Sequence, residues 1–168
     1  HSVYALSLLC SDYDLEKLVA LMNSIAPTMF CSYFQPGLEL TYAIQDLLHR
    51  TTHKPTVIFL QNHGLIIHHQ DAERLIELHE EVNNLLIQYF SLKTFDKNYP
   101  AFSNFNIMKS QILFPDQMIF CKDEEAFKSN QGFEMRQVYQ YILDTQKSLK
   151  LNSVALNLSA AESLLEMD

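Results

Sequence analysis

A layered α/β fold, with strands and helices alternating, is what this sequence predicts, and three observations carry the prediction. Residues 56–60, Thr-Val-Ile-Phe-Leu, form a nearly all-apolar run too short for an ordinary helix, and Leu65-Ile66-Ile67 form a second one. Such runs read as strands buried on both faces. Around them lie segments whose apolar residues recur at 3 and 4 spacings, the mark of amphipathic helices. Helix-type and strand-type segments alternate along the chain, which is the pattern of an α/β layered domain.

In order, Ser2–Leu9 is a short apolar helix, and Tyr13–Asn23 is a second one with Leu15, Leu18, Val19 and Met22 on one side. After Pro27, Met-Phe-Cys-Ser-Tyr-Phe is strand-like. Gln35-Pro36-Gly37-Leu38 is a turn in which Pro supplies a fixed φ and Gly a positive one. Leu38, Thr41, Ile44, Gln45 and Leu48 continue as a helix that ends before Thr51-Thr52 and Pro55. The strand at 56–60 stops at Gln61-Asn62-His63-Gly64 and resumes at Leu65, a place where the backbone turns sharply under a site. Asp71 caps a long helix over roughly 72–91, with Leu75, Leu78, Val82, Leu85, Leu86 and Tyr89 on one face. Residues 93–106 read as loop. Residues 111–121 read as a strand pair, or one strand interrupted by Pro115. Residues 123–132 read as a short helix ending at Gly132. A helix over 134–150, a brief strand at 154–158 and a last helix opened by the capping-box spacing of Ser159-Ala160-Ala161-Glu162 complete the series.

Composition narrows the function. The chain has 168 residues, 48% of them hydrophobic, so it can bury one substantial core. Twelve Lys and Arg against 20 Asp and Glu give a net charge of −8, the wrong sign for gripping nucleic acid or an anionic membrane surface. Cys10, Cys31 and Cys121 form no C-x-x-C pair, which argues against a disulfide scaffold or zinc knuckle and for a reducing compartment, the cytoplasm. Neither a membrane anchor nor a signal peptide is legible. A chain opening on His1 rather than Met reads as a fragment or a processed product. A single domain over 1–91, extended by residues 92–168, is the expected organisation.

Three stretches resemble the class II aldolase/adducin family, the family of the fuculose, rhamnulose and ribulose phosphate enzymes. They are His1-Ser-Val-Tyr-Ala-Leu-Ser, Tyr33-Phe-Gln-Pro36-Gly37-Leu-Glu-Leu40 and Val57-Ile-Phe-Leu-Gln-Asn62-His63-Gly64-Leu-Ile-Ile67, in the family's order and spacing. The last is the most specific, because an N/H-H-G tripeptide between two apolar runs closes that family's metal site. Leu113-Phe-Pro115-Asp116 and Leu158-Ser159-Ala-Ala-Glu162 resemble the tail of longer bacterial members. The resemblance implies a three-layer α/β/α fold with a central, mainly antiparallel sheet, residues 1–91 being the C-terminal half of the family's domain.

It also implies a divalent metal, usually Zn²⁺, held by three imidazoles. Neutral imidazoles suit that ion and leave room for substrate oxygens. Residue by residue, His1 matches the second His of an H-x-H pair and His63 the third ligand, while Tyr13 is the nearest counterpart of a tyrosine the family offers from a loop. The first His, the acidic residue and the phosphate-binding Gly-Asn loop lie upstream in the family, so this polypeptide is expected to hold metal weakly or incompletely. The implied chemistry is aldol cleavage, or epimerisation, of a sugar or sugar phosphate. By the same analogy a cyclic homo-oligomer, a tetramer, is implied. The adducin branch supplies a second reading, a non-catalytic interaction module.

Other histidines have plainer accounts. His68 and His69 are adjacent in an extended run and point to opposite faces. His49 and His53 have i, i+4 spacing across a helix end. His79, beside the apolar stripe of the long helix, reads as a packed, hydrogen-bonded side chain. The acidic residues at 71, 73, 77, 80 and 81 form a solvated face, and the cysteines read as small core residues.

Overall fold

Local sequence chemistry sets most of the element ends in the computed structural model, which describes residues 2–157. Helix α1 (Val3–Leu9) starts where the Ser2 hydroxyl accepts a hydrogen bond from the Ala5 N–H. Asp14 caps α2 (Leu15–Met22) in the same way. Strand β1 (Thr28–Cys31) follows. Gly37, at φ 113°, then turns the chain into α3 (Leu38–His49), the positive φ that the Pro36-Gly37 turn required. Strands β2 (Val57–Leu60) and β3 (Gly64–Ile67) flank the polar turn, and Asp71 caps α4 (Ala72–Phe90). Helices α5 (Phe105–Ser110), α6 (Pro115–Phe120), α7 (Glu124–Lys128) and α8 (Asn130–Leu149) complete the described chain.

The sheet has the order β1-β2-β3. Strands β1 and β2 are parallel, with Cys31 opposite Leu60, because α3 carries the chain back to the starting edge. Strands β2 and β3 are antiparallel, because only Gln61, Asn62 and His63 join them. The sheet described is therefore mixed, and the expected mainly antiparallel sheet is not the one observed.

Every residue of β2 is buried, for a simple reason. Val57 and Phe59 enter a core with Ala5, Leu8 and Leu9 of α1, Leu18 of α2 and Leu78, Val82 and Leu86 of α4. Ile58 and Leu60 join Cys31 and Leu40 in the core beneath α3. Helix α1 also faces the rest of the chain, since Leu6 and Cys10 pack with Met108, Leu113, Phe114, Phe127, Tyr139 and Ile142. The segment beyond residue 92 thus continues the same interior.

Three sequence expectations need correction. Residues 111–121 are not strands: Ile112, Leu113 and Phe114 are buried in extended backbone, and Pro115 opens α6 at the position where its fixed φ and missing N–H cost nothing. The Gln117 side chain accepts from the Leu113 N–H at 2.8 Å and donates to the Met108 and Gln111 carbonyls. Gly132 does not end a helix but lies in the first turn of α8, where a Cβ would come within 2.1 Å of the Ala126 carbonyl oxygen. Its role is close approach of α7 to α8. Residues 154–157 form no strand, since their bonds go to an irregular set of partners. The expected last helix from Ser159 lies outside the described residues.

Candidate functional site

The carboxyl ends of β1 and β2 meet the turn Gln61-Asn62-His63, and three other parts of the chain converge there. Gln61 prolongs the pairing past the strands: its N–H donates to the Cys31 carbonyl at 3.0 Å, and its side-chain oxygen accepts from the Tyr33 N–H at 3.4 Å. Asn62 is 2% exposed and left-handed at φ 53°, a conformation that Asn tolerates better than most residues. Its N–H donates to the Leu9 carbonyl at the end of α1. Its carboxamide NH₂ donates to the Leu113 carbonyl at 2.8 Å and to the Val154 carbonyl at 2.7 Å. Gly64, at φ 141°, releases the chain into β3.

Residues 151–157 are held as a strap beside this turn. Val154 N–H donates to the Cys10 carbonyl and Leu156 N–H to the Ile112 carbonyl. Asn152 is tied to the Asp12 carboxylate through both its backbone N–H and its side chain, and those bonds hold the Asp12 carboxyl below its usual range.

His63 is half-buried on this anchored turn. Burial holds its imidazole below the ordinary value of 6.5, with the Asp116 carboxylate on α6 pulling the other way. The side chain is thus neutral at pH 7 and lies within electrostatic reach of Asp116. Tyr33 packs against Ile112 and Leu156, on which Met118 also packs. Burial first, and then the Glu39 carboxylate, keep its phenol protonated. Its hydroxyl oxygen is buried with no hydrogen-bond partner among the described residues, an arrangement that costs about 1–3 kcal/mol.

Of the residues expected at the site, His63 is where the sequence placed it. His1 lies outside the described residues; Ser2 beside it caps α1 and donates to Asn83 Oδ1, while Asn62 meets the opposite end of that helix, about 10 Å of helical rise away. Tyr13 stacks edge-on against Phe90, centroids 5.3 Å apart, in the core with α4. His79 contacts the Asn83 side chain, as a packed histidine should. Cys10, Cys31 and Cys121 are buried free thiols.

A zinc centre needs at least three converging protein donors. No group of three His, Cys, Asp or Glu able to hold a metal occurs among the described residues. The residues described here therefore do not fit the implied metal by themselves. Asp116 and Tyr33 are the additions that the sequence reading missed as site residues, although both stood inside quoted stretches. Pro115-Asp116 carried a usable signal, Pro at a helix start followed by an acid in the first turn. No described helix is long and apolar enough to cross a membrane. Compared with protein-family models, curated proteins and solved structures, the chain matches none.

Proposed function

We propose that this chain is the imidazole-bearing part of a class II aldolase-like lyase that cleaves a carbon–carbon bond in a sugar or sugar phosphate. One observation carries the reading: a neutral imidazole, His63, fixed on a turn anchored from three directions at the carboxyl ends of two parallel strands, within electrostatic reach of Asp116. Ligands in α/β proteins gather at that end of the strands. Aldol cleavage turns a hydroxyl into a carbonyl while the electron pair of the breaking carbon–carbon bond passes into the neighbouring ketone as an enediolate, so the hydroxyl proton must be taken up as the bond breaks and can then be returned to that carbon. Neutral His63 can accept it, and Asp116 steadies the imidazolium that results. The donors a divalent metal such as Zn²⁺ would need beyond His63 are not among the described residues, and no step is assigned to one.

The test is cleavage of ketose phosphates of the fuculose, rhamnulose and ribulose series by the protein in its full natural length, read as released aldehyde. His63→Ala should lower the rate about 100-fold or more. Full cleavage by that variant would refute the assignment.

A second reading, an interaction module that also assembles with itself, is favoured by a stripe at and before α3 in which Phe34 is 40%, Leu38 73% and Tyr42 64% exposed. Leu38 and Tyr42 lie at i, i+4 on one face of α3, and Phe34, before the Gly37 turn, lines a shallow surface hollow together with Tyr42. Absence of cleavage, together with self-association abolished by Leu38→Asp, would favour this reading over the lyase.

A further inference from the structure

A cavity of about 190 Å³ lies where the end of α4 and the loop after it meet the last turns of α8, and none of its lining residues belongs to the His63 turn. The loop is irregular, yet side chains of α1 and α8 fix it. Tyr141, wholly buried, donates its hydroxyl to the Lys93 carbonyl. Gln137, also buried, donates to the Lys97 and Tyr99 carbonyls at 2.9 and 2.6 Å, and the Phe95 N–H donates to the Tyr4 hydroxyl at 3.2 Å. The Tyr99 ring stands edge-on to that of Tyr141, centroids 5.1 Å apart. The walls are thus set before a ligand arrives, which spares the cost of ordering them.

Asp144 is the acceptor of this cavity. Its Oδ2 takes the Tyr99 hydroxyl at 2.8 Å and its Oδ1 the Gln140 carboxamide NH₂ at 2.9 Å. The carboxylate is thereby oriented, and each oxygen keeps room for one more donor. Burial first, and then Asp144, push the Tyr99 phenol up, so it stays a donor at neutral pH. Lys93 sets one positive charge against the negative charge of Asp144, so the lining has no net charge and favours neither a simple anion nor a simple cation. Half-buried Leu92 and Tyr99 add apolar surface, and Ser91 and Ser148 add exposed hydroxyls. At about 30 Å³ for each water the space holds roughly six waters, which suits a small ligand and not a nucleotide.

We propose that this cavity binds a small neutral polyol or free sugar, the exposed Asp144 carboxylate accepting from its hydroxyls beside Leu92 and the Tyr99 ring. The site uses other residues than the lyase reading and does not depend on it.

The experiment titrates the full-length protein, its tyrosine rings ¹³C-labelled, with glycerol and, separately, with myo-inositol. Tyr99→Phe assigns the resonance, and exposed Tyr42 serves as control. The Tyr99 signal should shift saturably with at least one polyol while that of Tyr42 stays, and inorganic phosphate and tetramethylammonium should move neither. Asp144→Asn should weaken the polyol about tenfold or more, because bonds to a charged acceptor become bonds to a neutral amide. Ser148→Gln, at an exposed position of α8, should fill the mouth and weaken it while leaving the Asp144 carboxylate in place. His63→Ala should leave the polyol affinity unchanged. A Tyr99 signal unmoved by both polyols, a shift matched by phosphate or by L-serine, or an affinity indifferent to both Asp144→Asn and Ser148→Gln overturns the proposal. Polyol binding lost in His63→Ala overturns it too, by placing the polyol at the other turn.

Discussion

Asn62→Ala should be among the most damaging single changes in this chain. Two hydrogen bonds vanish, to the Leu113 carbonyl at 2.8 Å and the Val154 carbonyl at 2.7 Å. Each is worth about 1 kcal/mol net, and a buried carbonyl left without a donor adds to the loss. Leu113 keeps a weak donor in Cys10 Sγ at 3.2 Å, so the added penalty falls mainly on Val154. Those terms come to roughly 2–4 kcal/mol. Alanine at φ 53° adds about 1 kcal/mol, which Asn62→Gly would avoid. The expected loss is therefore about 3–5 kcal/mol for Ala and about 1 kcal/mol less for Gly, against the 5–15 kcal/mol that typically separates folded from unfolded chains. Urea unfolding followed by circular dichroism measures both. A loss below about 1 kcal/mol for Ala would refute the account of Asn62 as the tie between α1, the residue 113 segment and the strap. Equal losses for Ala and Gly would refute the backbone part alone.

Two further outcomes are expected. Gly132→Ala places a Cβ 2.1 Å from the Ala126 oxygen and 2.8 Å from the Phe127 oxygen, both backbone atoms that cannot rotate away. Helix α7 must move off α8, at about 1–3 kcal/mol or more, and an unchanged Tm would show that the two helices do not meet this way. For His63, the folded state binds its proton less readily than the unfolded chain, whose value is near 6.5. The unfolded state therefore gains protons first as pH falls, so the stability this residue contributes is complete above that pH and is lost below it. Denaturation midpoints of the wild type and His63→Gln, compared between pH 8 and pH 5, should diverge in that sense. Parallel curves would place His63 in water.

Much of the architecture was legible because it depends on neighbours in the chain. Asp71 announces a helix start through a side-chain oxygen two or three residues from the amides it satisfies. The Thr-Val-Ile-Phe-Leu run could only be a strand with helices on both sides, and β2 is buried at every position. Residues 111–121 misled because apolar composition does not separate a strand from buried extended backbone that feeds a helix, and Pro115 permits both readings. Gly132 misled because a glycine chosen for close approach looks the same in sequence as one chosen for a helix end. At the site, His63 was legible from its flanking pattern. Asp116 and Tyr33 were not, because 53 residues separate Asp116 from His63 and 30 separate Tyr33 from it in the chain.

By itself, then, the sequence determined much of the local grammar of this protein: where its longer helices lie and that a buried strand breaks at Gln61-Asn62-His63-Gly64. Those properties follow from hydrophobic period, capping side chains and glycine at positive φ, all readable over a few residues. Tertiary structure alone decided that the sheet is mixed, that the Asn62 carboxamide reaches residues 51 and 92 positions away, and that burial, outweighing the pull of Asp116, keeps His63 neutral. Charge state and hydrogen-bond partnership depend on what surrounds a group in space, and that is settled only when distant segments pack.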